Sequence, residues 1–439
     1  MRKIAWIIAA ALGLSLAGCG GGGGSSNNSS ANSNSSTVSA PLAVSSPAVT
    51  NNSPPNVLAV DATAVPTDST QANTVPVTVG ATAINNQPMV SVTVCPPGSS
   101  ANCATINNVI VDTGSVGLRL VSSAIPSATA ALLTREPDGN GQTLAECALF
   151  GSGYAWGTVQ QADVLLSGET ASSVPIHVIS DPALITAAPT DCTQGGGRAL
   201  VTTSDLHANG ILGIGSGQTD CGLACQNTVQ TQFYYTNAGN TAQVLLANQI
   251  TNPVAKFATP DNNGVILEMA QVADTGSAST YGTLVFGIDT QANNALTGTG
   301  ASLIPTDVYN DFTSNYGGFT YSRTFFDSGS TVMFFPDLTI PTQIVSSTQY
   351  YVPSTPVGRT ATLAGSNSSS ITLGFNIASV LTLAATGNHA FNNIGAYQAS
   401  PHQFDYGLPF FFGRHVYYGI DGKTSTGGGV GPYVAYVSK

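Results

Sequence analysis

From about residue 75 onward, short runs of apolar residues alternate with polar ones and are bounded by Gly, Pro and Asn. A period of two in segments rich in Val, Ile, Thr and Tyr predicts β-strands separated by turns. The predicted strands are NTVPVTVG, MVSVTVCP, NNVIVDTG, ADVLLSG, VPIHVIS, GTLVFGID, SRTFFDSG, SITLGFN and VGPYVAYV. The best helix candidates are SATAALL and NTAQVLLANQI. The pattern therefore predicts a mainly β fold with many short strands.

The first 19 residues follow a different pattern. MRK and the apolar stretch IAWIIAAALGLSL have the order of an export signal, and the apolar stretch is short for a membrane span. It ends in LAGC, which resembles the site where a bacterial lipoprotein signal is cut and the Cys is lipidated. We therefore expect a signal peptide over residues 1–18 and lipid on Cys19; the alternative is an ordinary signal peptide with a chance Cys.

The segment after Cys19 is dominated by Gly, Ser, Asn and Pro and has no apolar periodicity. Such a composition cannot bury a core, so residues 19–57 are expected to form a disordered tether between the lipid and the folded part. The rest of the 439-residue chain is long enough for two lobes, expected at 58–297 and 298–439. Lipid would hold the protein in the bacterial cell envelope without spanning the membrane. Gly20 after the lipidated Cys resembles a lipoprotein sorting signal for the outer membrane, so we expect the outer membrane or the periplasmic face.

The charge balance narrows the possible partners. The chain has 11 Lys and Arg against 22 Asp and Glu, a formal net charge of −11. Nucleic-acid binding needs clustered basic residues, so we expect no nucleic-acid partner. We also expect a monomer, no cofactor and no metal.

The cysteines are consistent with an exported protein. Six remain after Cys19, an even number that suggests disulfides. Proximity along the chain favours Cys95–Cys103 and Cys221–Cys225, which leaves Cys147–Cys192. Six cysteines allow 15 pairings, so other connectivities stay open. A zinc site at CGLAC is the weaker alternative, because no His stands close to it.

A pair of similar motifs carries the candidate chemistry. VIVDTGS at 109–115 and TFFDSGS at 324–330 each place Asp, a hydroxyl residue, Gly and Ser after an apolar run. Asp112 and Asp327 stand 215 residues apart, about the length of one lobe. One such Asp could end a strand in an ordinary turn. Two matching turns, one in each half, indicate an internal duplication.

Two carboxylates brought face to face can share one proton, because both cannot easily ionise at close range. The ionised carboxylate can act as a general base on a water, and the protonated one can donate to a substrate carbonyl. The flanking Gly can let the backbone approach closely, and the flanking hydroxyls can donate to the carboxylates. The candidate catalytic residues are Asp112 and Asp327, and the supporting residues are Thr113, Gly114, Ser115, Ser328, Gly329 and Ser330.

Four further segments follow in a fixed order: FGSGYAWGTVQQADVLLSG at 150–168, NGILGIG at 209–215, GTLVFGID at 282–289 and GLPFFFGRHVYYGIDG at 407–422. With the two Asp motifs they resemble the pepsin-like aspartic peptidases, and more closely an uncharacterised bacterial family of pepsin-like lipoproteins. The resemblance implies a bilobal fold with a cleft between the lobes and one catalytic Asp in each. It also implies a substrate-binding hairpin, the flap, at Phe150, Gly151, Ser152 and Gly153. The substrate would be an extended polypeptide.

The chain departs from the pepsin-like pattern at two linked positions. The flap Tyr of the family is Phe150 here, and the Trp that normally hydrogen-bonds that Tyr is Arg119. Both ends of the bond are replaced together, which suggests a coherent variant. In the last segment, either GLP or FFG could match the family's apolar-apolar-Gly element. Residues 20–75 contain no Lys or Arg, so activation through a basic pro-segment is not expected.

The sequence therefore favours a lipid-anchored aspartic endopeptidase. The main alternative is an inactive relative that binds peptides or proteins at the cell surface. A third is a β-rich lipoprotein with no cleft chemistry. Asp163 and Asp289 are expected to be solvated or to cap turns, and His207, His389, His402 and His415 form no recognisable triad with a Ser. Tyr417, Tyr418 and the Phe410–Phe412 run are expected in the core.

Overall fold

The structure is a computed structural model, and it describes residues 63–184, 186–195, 197–367 and 369–438. The predicted signal peptide, lipidated Cys19 and tether lie outside these residues. The strands of the first half are β1 Thr74–Val79, β2 Met89–Cys95, β3 Ala104–Asp112, β4 Val116–Val121, β5 Thr134–Arg135, β6 Ala145–Phe150, β7 Gly153–Leu166, β8 Glu169–Ile179, β9 Arg198–Ala199, β10 Gly210–Ile214, β11 Tyr234–Tyr235, β12 Gly264–Met269 and β13 Thr280–Phe286. All the predicted strands of this half are present.

The second half is equally rich in strands. They are β14 Ser302–Pro305, β15 Phe312–Tyr316, β16 Phe319–Phe325, β17 Met333–Phe335, β18 Thr342–Val345, β19 Thr348–Tyr351, β20 Val357–Ala364, β21 Ser370–Ile377, β22 Gly395–Tyr397, β23 Gln403–Asp405, β24 Arg414–Gly419, β25 Thr424–Ser425, β26 Gly429–Val430 and β27 Tyr433–Val437. The prediction of a mainly β fold is confirmed.

Helices are short throughout the described chain. The α-helices are α1 Ser127–Ala130, α2 Thr190–Gly195, α3 Thr203–Leu206, α4 Leu223–Asn227 and α5 Val380–Ala384, and 3₁₀ turns span Ser122–Ala124, Leu246–Asn248, Val254–Lys256 and Leu408–Phe410. The helix predicted in SATAALL is α1. The helix predicted in NTAQVLLANQI is wrong apart from one 3₁₀ turn. There Ala242 and Val244 are buried while Leu245 is exposed, which is the two-residue period of extended chain.

The first lobe closes into a barrel. Strands pair in the order β7-β8-β4-β10-β3-β2, and β2 pairs back onto β7. Closure leaves these six strands without a free edge. Their inward side chains are mostly Val, Ile and Leu, which fill the interior of the barrel.

The second lobe has its own nine-stranded sheet, in the order β18-β19-β22-β17-β23-β16-β15-β20-β21. One arrangement occurs in both lobes. Strand β10 lies between β3 and β4, parallel to the first and antiparallel to the second. Strand β23 lies in the same way between β16 and β17. The internal duplication inferred from the two Asp motifs therefore extends to the strands around them, and the bilobal fold is confirmed.

The final strands connect the lobes. Strand β24 pairs with β12, and β27 pairs with β24 and β14, so the end of the chain extends the sheet of the first lobe. The predicted core residues Phe410–Phe412, Tyr417 and Tyr418 are all buried in this region. The ring of Phe410 stacks, with centroids 3.9 Å apart, on Phe326, which directly precedes Asp327. This packing anchors the second Asp loop to the strands shared by the lobes.

Three disulfides are present, and they are the pairs that proximity along the chain favoured. Cys95–Cys103 links the end of β2 to the start of β3, Cys147–Cys192 links β6 to α2, and Cys221–Cys225 closes a short loop at α4. All three are in the first lobe. Cys147–Cys192 has the largest sequence separation, 45 residues, and ties down the strand that leads to the flap.

Candidate active site

Both motif aspartates lie at the ends of buried strands. Asp112 is the last residue of β3, and Asp327 follows the end of β16 by two residues. The two residues are 5% and 2% exposed. The residues just before them, Val111 and Phe326, belong to the same apolar cluster. A buried carboxyl group is costly unless it is hydrogen-bonded, so the loops that follow must supply donors.

Each loop supplies a matched pair of donors. The Gly114 N–H donates to Asp112 Oδ1 at 2.9 Å, and the Ser115 hydroxyl donates to Oδ2 at 2.5 Å. In the second loop the Gly329 N–H and the Ser330 hydroxyl lie 2.8 Å from Asp327 Oδ1 and Oδ2. Two donors on different oxygens fix the plane of each carboxyl group. The supporting roles expected for Gly and Ser are thus matched by contacts in both loops.

The hydroxyl residues between Asp and Gly join the two loops to each other. The Thr113 N–H donates to Ser328 Oγ at 3.0 Å, and the Ser328 N–H donates to Thr113 Oγ1 at 2.9 Å. Each hydroxyl also donates across the junction, from Ser328 to the Val111 carbonyl at 2.7 Å and from Thr113 to the Phe326 carbonyl at 3.3 Å. These four buried bonds hold the two Asp residues in register across the lobes.

The carboxyl groups meet over Gly329. A Cβ atom at Gly329 would lie 2.6 Å from Asp112 Oδ1 and 3.1 Å from Asp327 Oδ1, so only glycine fits between them. Asp112 also hydrogen-bonds Asp327. The structure therefore brings the two predicted catalytic residues into one shared carboxyl pair.

Burial and charge determine which side of the pair holds a proton. Removal from water raises the pKa of Asp327 well above its usual value, and the negative charges of Asp112 and Asp405 raise it further. The hydrogen bond from Ser330 opposes this rise but does not cancel it. These effects favour the protonated form of Asp327.

The inserted strands close the back of each loop. In the first lobe Gly213 of NGILGIG lies beside Asp112 in the β3–β10 pairing. In the second lobe the matching strand is β23, so the equivalent residues are Asp405, Tyr406 and Gly407 and neither GLP nor FFG. Gly407 has φ +55° and a Cβ there would lie 2.3 Å from the Val332 carbonyl oxygen, which requires glycine. Asp-Tyr in place of two apolar residues hid this element in the sequence.

Asp405 is a third carboxyl group of the site, which the sequence analysis did not identify. It is 3% exposed, and the Gly407 N–H donates to its Oδ1 at 2.8 Å. Its carboxyl group also hydrogen-bonds the Ser330 hydroxyl. Burial raises the pKa of Asp405 to about 8 despite these two bonds. The available signal for Asp405 in the sequence was an apolar residue followed by Asp-X-Gly, at residues 404–407.

The predicted flap residues form the end of a hairpin. Strands β6 and β7 pair up to Phe150 opposite Gly153, with Gly151 and Ser152 in the turn. Phe150 is buried in an apolar cluster that includes Ile110 of β3 and Ile211 of β10. The hairpin is therefore packed directly onto the strands that carry and back Asp112.

Arg119 and Phe150, the two departures from the pepsin-like pattern, remain neighbours. The Arg119 guanidinium carbon lies 6.0 Å from the Phe150 ring centroid, within range of a cation–π contact. Arg119 is 4% exposed and donates to the Val116 carbonyl and to Glu146 Oε1, at 2.7 and 2.8 Å. The replaced hydrogen bond has become a charged contact, which supports the interpretation of a coherent variant.

Glu146 of β6 is the centre of a buried charged cluster around Arg119. Its second oxygen lies 2.9 Å from His177 Nδ1, and Asp220 lies 3.7 Å from Arg119. Burial opposes ionisation of Glu146, but Arg119 and His177 lower its pKa to about 2. Burial and the charge of Glu146 raise the pKa of Asp220 well above its usual value. Sequence reasoning missed Glu146, His177 and Asp220, because they are far apart in the chain.

The remaining candidates have structural roles. Asp163 accepts bonds from the N–H groups of Gly98 and Ser173, and Asp289 accepts from Leu296, Thr297 and Gly427, so both cap turns as expected. Among the described residues, no group of three or more His, Cys, Asp or Glu could hold a metal ion. No described helix is long and apolar enough to cross a membrane.

The fold and the site define a class of protein: a bilobal β-protein with one aspartate loop in each lobe and the two carboxyl groups in contact. The chain belongs to the family described as "Protein of unknown function (DUF3443)", whose model matches residues 69–436. No curated protein matches it. Among solved structures, the aspartic proteinase from Irpex lacteus is 14% identical, with 83% of this chain and 96% of that chain covered and a TM-score of 0.47.

Proposed function

We propose that this protein is an aspartic endopeptidase that hydrolyses peptide bonds with a water held by Asp112 and Asp327. The observation that carries the proposal is the meeting of two buried carboxyl groups over Gly329, each held by its own pair of donors. Such a pair titrates as a unit and can hold one proton between its members. Its rigid surroundings keep this geometry ready for a substrate.

The chemistry follows from the raised proton affinity of Asp327. Asp112, as the base, takes a proton from the bound water, whose oxygen attacks the substrate carbonyl carbon. Asp327 donates its proton to the carbonyl oxygen as the tetrahedral intermediate forms. When the C–N bond breaks, Asp112 returns a proton to the leaving nitrogen and Asp327 regains one from the collapsing hydroxyl. No proton is gained or lost over the cycle.

The substrate class we propose is an extended polypeptide. The β6–β7 hairpin at Phe150 to Gly153 packs onto the strands beside Asp112, and its turn can offer main-chain groups to a peptide strand. We further propose that lipid on Cys19 anchors the enzyme in the cell envelope. The three disulfides support an oxidising compartment.

The test is cleavage of a denatured protein mixture by the full chain in detergent, from pH 3 to pH 7. New peptide ends would be identified by mass spectrometry. The Asp112→Asn variant is the test variant, and Asp68→Asn, at an exposed turn, is the matched control. We expect cleavage by the native and control proteins and none by Asp112→Asn.

Failure has a defined meaning. If natively folded protein gives no new peptide ends at any pH, the peptidase proposal is wrong and peptide binding without hydrolysis becomes the better explanation. If Asp112→Asn cuts as well as the native protein, the carboxyl pair is not the source of the activity.

A further inference from the structure

Asp405 occupies a position where the first lobe has an apolar residue. In the β3–β10 pairing Ile211 stands opposite Ile110, two residues before Asp112. In the β16–β23 pairing Asp405 stands opposite Phe325, two residues before Asp327. The duplication therefore supplies an internal reference: the same place in the first lobe is filled without any polar group. A carboxyl group buried at such a place requires partners.

The partner on one side is Ser330, whose hydroxyl has a single hydrogen. That hydroxyl lies 2.8 Å from Asp327 Oδ2 and also hydrogen-bonds Asp405. If Ser330 donates to Asp327, it can only accept from Asp405, and Asp405 must carry a proton. If Asp327 carries the proton instead, the two bonds reverse together.

We propose that Asp405 is a positioning residue that shares one proton with Asp327 through the Ser330 hydroxyl. In the transfer, Asp405 gives its proton to Ser330 Oγ while Ser330 gives its own hydrogen to Asp327 Oδ2. Asp405 becomes a carboxylate, Asp327 a carboxylic acid, and Ser330 is unchanged. Both end states are hydrogen-bonded, because the Gly407 N–H stabilises the Asp405 carboxylate at 2.8 Å. The role of Asp405 is to keep Asp327 protonated at a pH where an isolated Asp would ionise.

The surroundings of Asp405 favour this role. The titratable groups that face it are the carboxyl groups of Asp112 and Asp327 and the buried hydroxyl of Tyr418, whose own pKa is raised by burial and by these three acids. The Tyr418 hydroxyl donates to the Phe326 carbonyl at 2.9 Å, so it is already engaged. No cation contributes to the ionisation of Asp405. Its proton is therefore retained by burial and by neighbouring negative charge.

This inference rests on the proposed peptidase function for its first test, the pH profile of kcat/KM. The Asp405→Asn variant keeps the size of the side chain and an N–H donor for Ser330, but it cannot share a proton. Without the third acid, Asp327 should lose its proton more easily, so the alkaline limb should move to lower pH by about one unit. A purely structural role predicts an unchanged limb.

Two further backgrounds separate transfer through Ser330 from an effect of charge through space. In a Ser330→Ala background, the shift caused by Asp405→Asn should shrink. In a Ser115→Ala background, which removes the equivalent hydroxyl from the other loop, the full shift should remain. An unchanged alkaline limb, or equal shifts in both backgrounds, would overturn the proposal.

A second measurement does not depend on activity. With aspartate labelled at the carboxyl carbon, NMR titration should show that the Asp327 signal, assigned by its loss in Asp327→Asn, changes its midpoint to lower pH in Asp405→Asn. An unmoved midpoint would refute proton sharing even if the enzyme cuts. A moved midpoint in a protein that cuts nothing would refute the peptidase function and leave the proton sharing intact.

Discussion

The two aspartate loops are nearly the same in hydrogen bonding and opposite in what lies behind them. Behind the first loop, the inserted strand β10 contributes Ile211, which pairs with Arg119 of β4. Behind the second, β23 contributes Asp405, which pairs with Phe334 of β17. At the equivalent strand pair each lobe thus buries one ionisable residue, but on opposite strands: the basic Arg119 in the first lobe and the acidic Asp405 in the second.

This difference separates two roles: placing the carboxyl groups, and tuning their surroundings. From the symmetry of the motifs alone, one would expect both loops to do both. The shared donors and crossed hydroxyls place the carboxyl groups, and they are equivalent in both lobes. The unshared residues act in different directions: Asp405 reaches the carboxyl pair through Ser330, whereas Arg119 binds Glu146 beneath the flap strand. The residues that the two lobes share therefore set the position of the carboxyl groups. The residues that differ set the protonation of the pair, through Asp405, and the support of the flap hairpin, through Arg119.

The largest expected effect comes from removing either member of the pair. Asp112→Asn and Asp327→Asn should each reduce kcat/KM by at least about 10⁴-fold, because the members act as a unit and neither works alone. The measurement is cleavage of a fluorogenic peptide chosen from the identified cut sites. Circular dichroism of both variants checks that the fold is retained. A variant that keeps a tenth of the activity would show that the second carboxyl group is not required.

The next effect concerns the charged cluster of the first lobe. Arg119→Met leaves the buried carboxyl groups of Glu146 and Asp220 without their cation, so the free energy of unfolding should fall by about 3–5 kcal/mol. Urea denaturation measures it. The matched control is Arg135→Met, because the Arg135 side chain is 41% exposed in its ion pair with Asp181. That change should cost at most about 1 kcal/mol. Equal losses for both would mean that burial adds nothing at Arg119.

A smaller effect is expected at the crossed hydroxyls. Thr113→Val and Ser328→Ala should each lower the free energy of unfolding by about 1–3 kcal/mol, since each leaves the buried N–H of the opposite loop without its hydroxyl partner. The similar size of the two losses would reflect the symmetry of the junction. The double variant should lose less than the sum of the single losses, because both residues belong to one network. Strictly additive losses would show that the two loops are not coupled.

The sequence predicted well the features that the two aspartate loops share. Each Asp motif is local, and a strand followed by Asp, a hydroxyl residue, Gly and Ser is sufficient to indicate both loops. The duplicated motif also predicted that Asp112 and Asp327 would meet. The residues that differ between the loops, and the contacts that they make, were not predictable in the same way. Asp405 lies in an inserted strand whose partner β16 is about 80 residues earlier, and only the parallel pairing shows that it stands beside the second loop.

The same limit applies to Arg119. Its replacement of a family Trp was visible, and its link to Phe150 was anticipated. Its contacts with the cluster of Glu146 and His177 were not anticipated. These residues come from β6 and β8 and meet Arg119 only once the barrel has closed. The helix expected in NTAQVLLANQI failed for a related reason: local propensity favoured a helix, but packing of Ala242 and Val244 under the surface required extended chain.

The last effect is a slope, the dependence of stability on pH, and it should differ in sign between Asp405 and Glu146. In the second lobe the folded-state pKa of Asp405, about 8, lies above its unfolded value. Its stabilising contribution is complete in acid and is lost as the pH rises from about 4 to about 8, by at most about 1.4 kcal/mol per pH unit. In the first lobe the pKa of Glu146 is lowered to about 2, so its contribution is present near neutrality and is lost as the pH falls below about 4.5.

Urea titrations at intervals from pH 3 to pH 8 distinguish the two contributions. Asp405→Asn should flatten the decline above pH 5 without removing it, because the raised pKa values of Asp327 and Asp220 act in the same direction. Glu146→Gln should flatten the acid side, and above pH 5 it should remove only the part of the decline that the charge of Glu146 adds through Asp220. If Asp405→Asn leaves the slope between pH 5 and pH 8 unchanged, Asp405 does not hold a proton in the folded protein. The two loops would then differ only in the side chains packed behind them, and not in protonation.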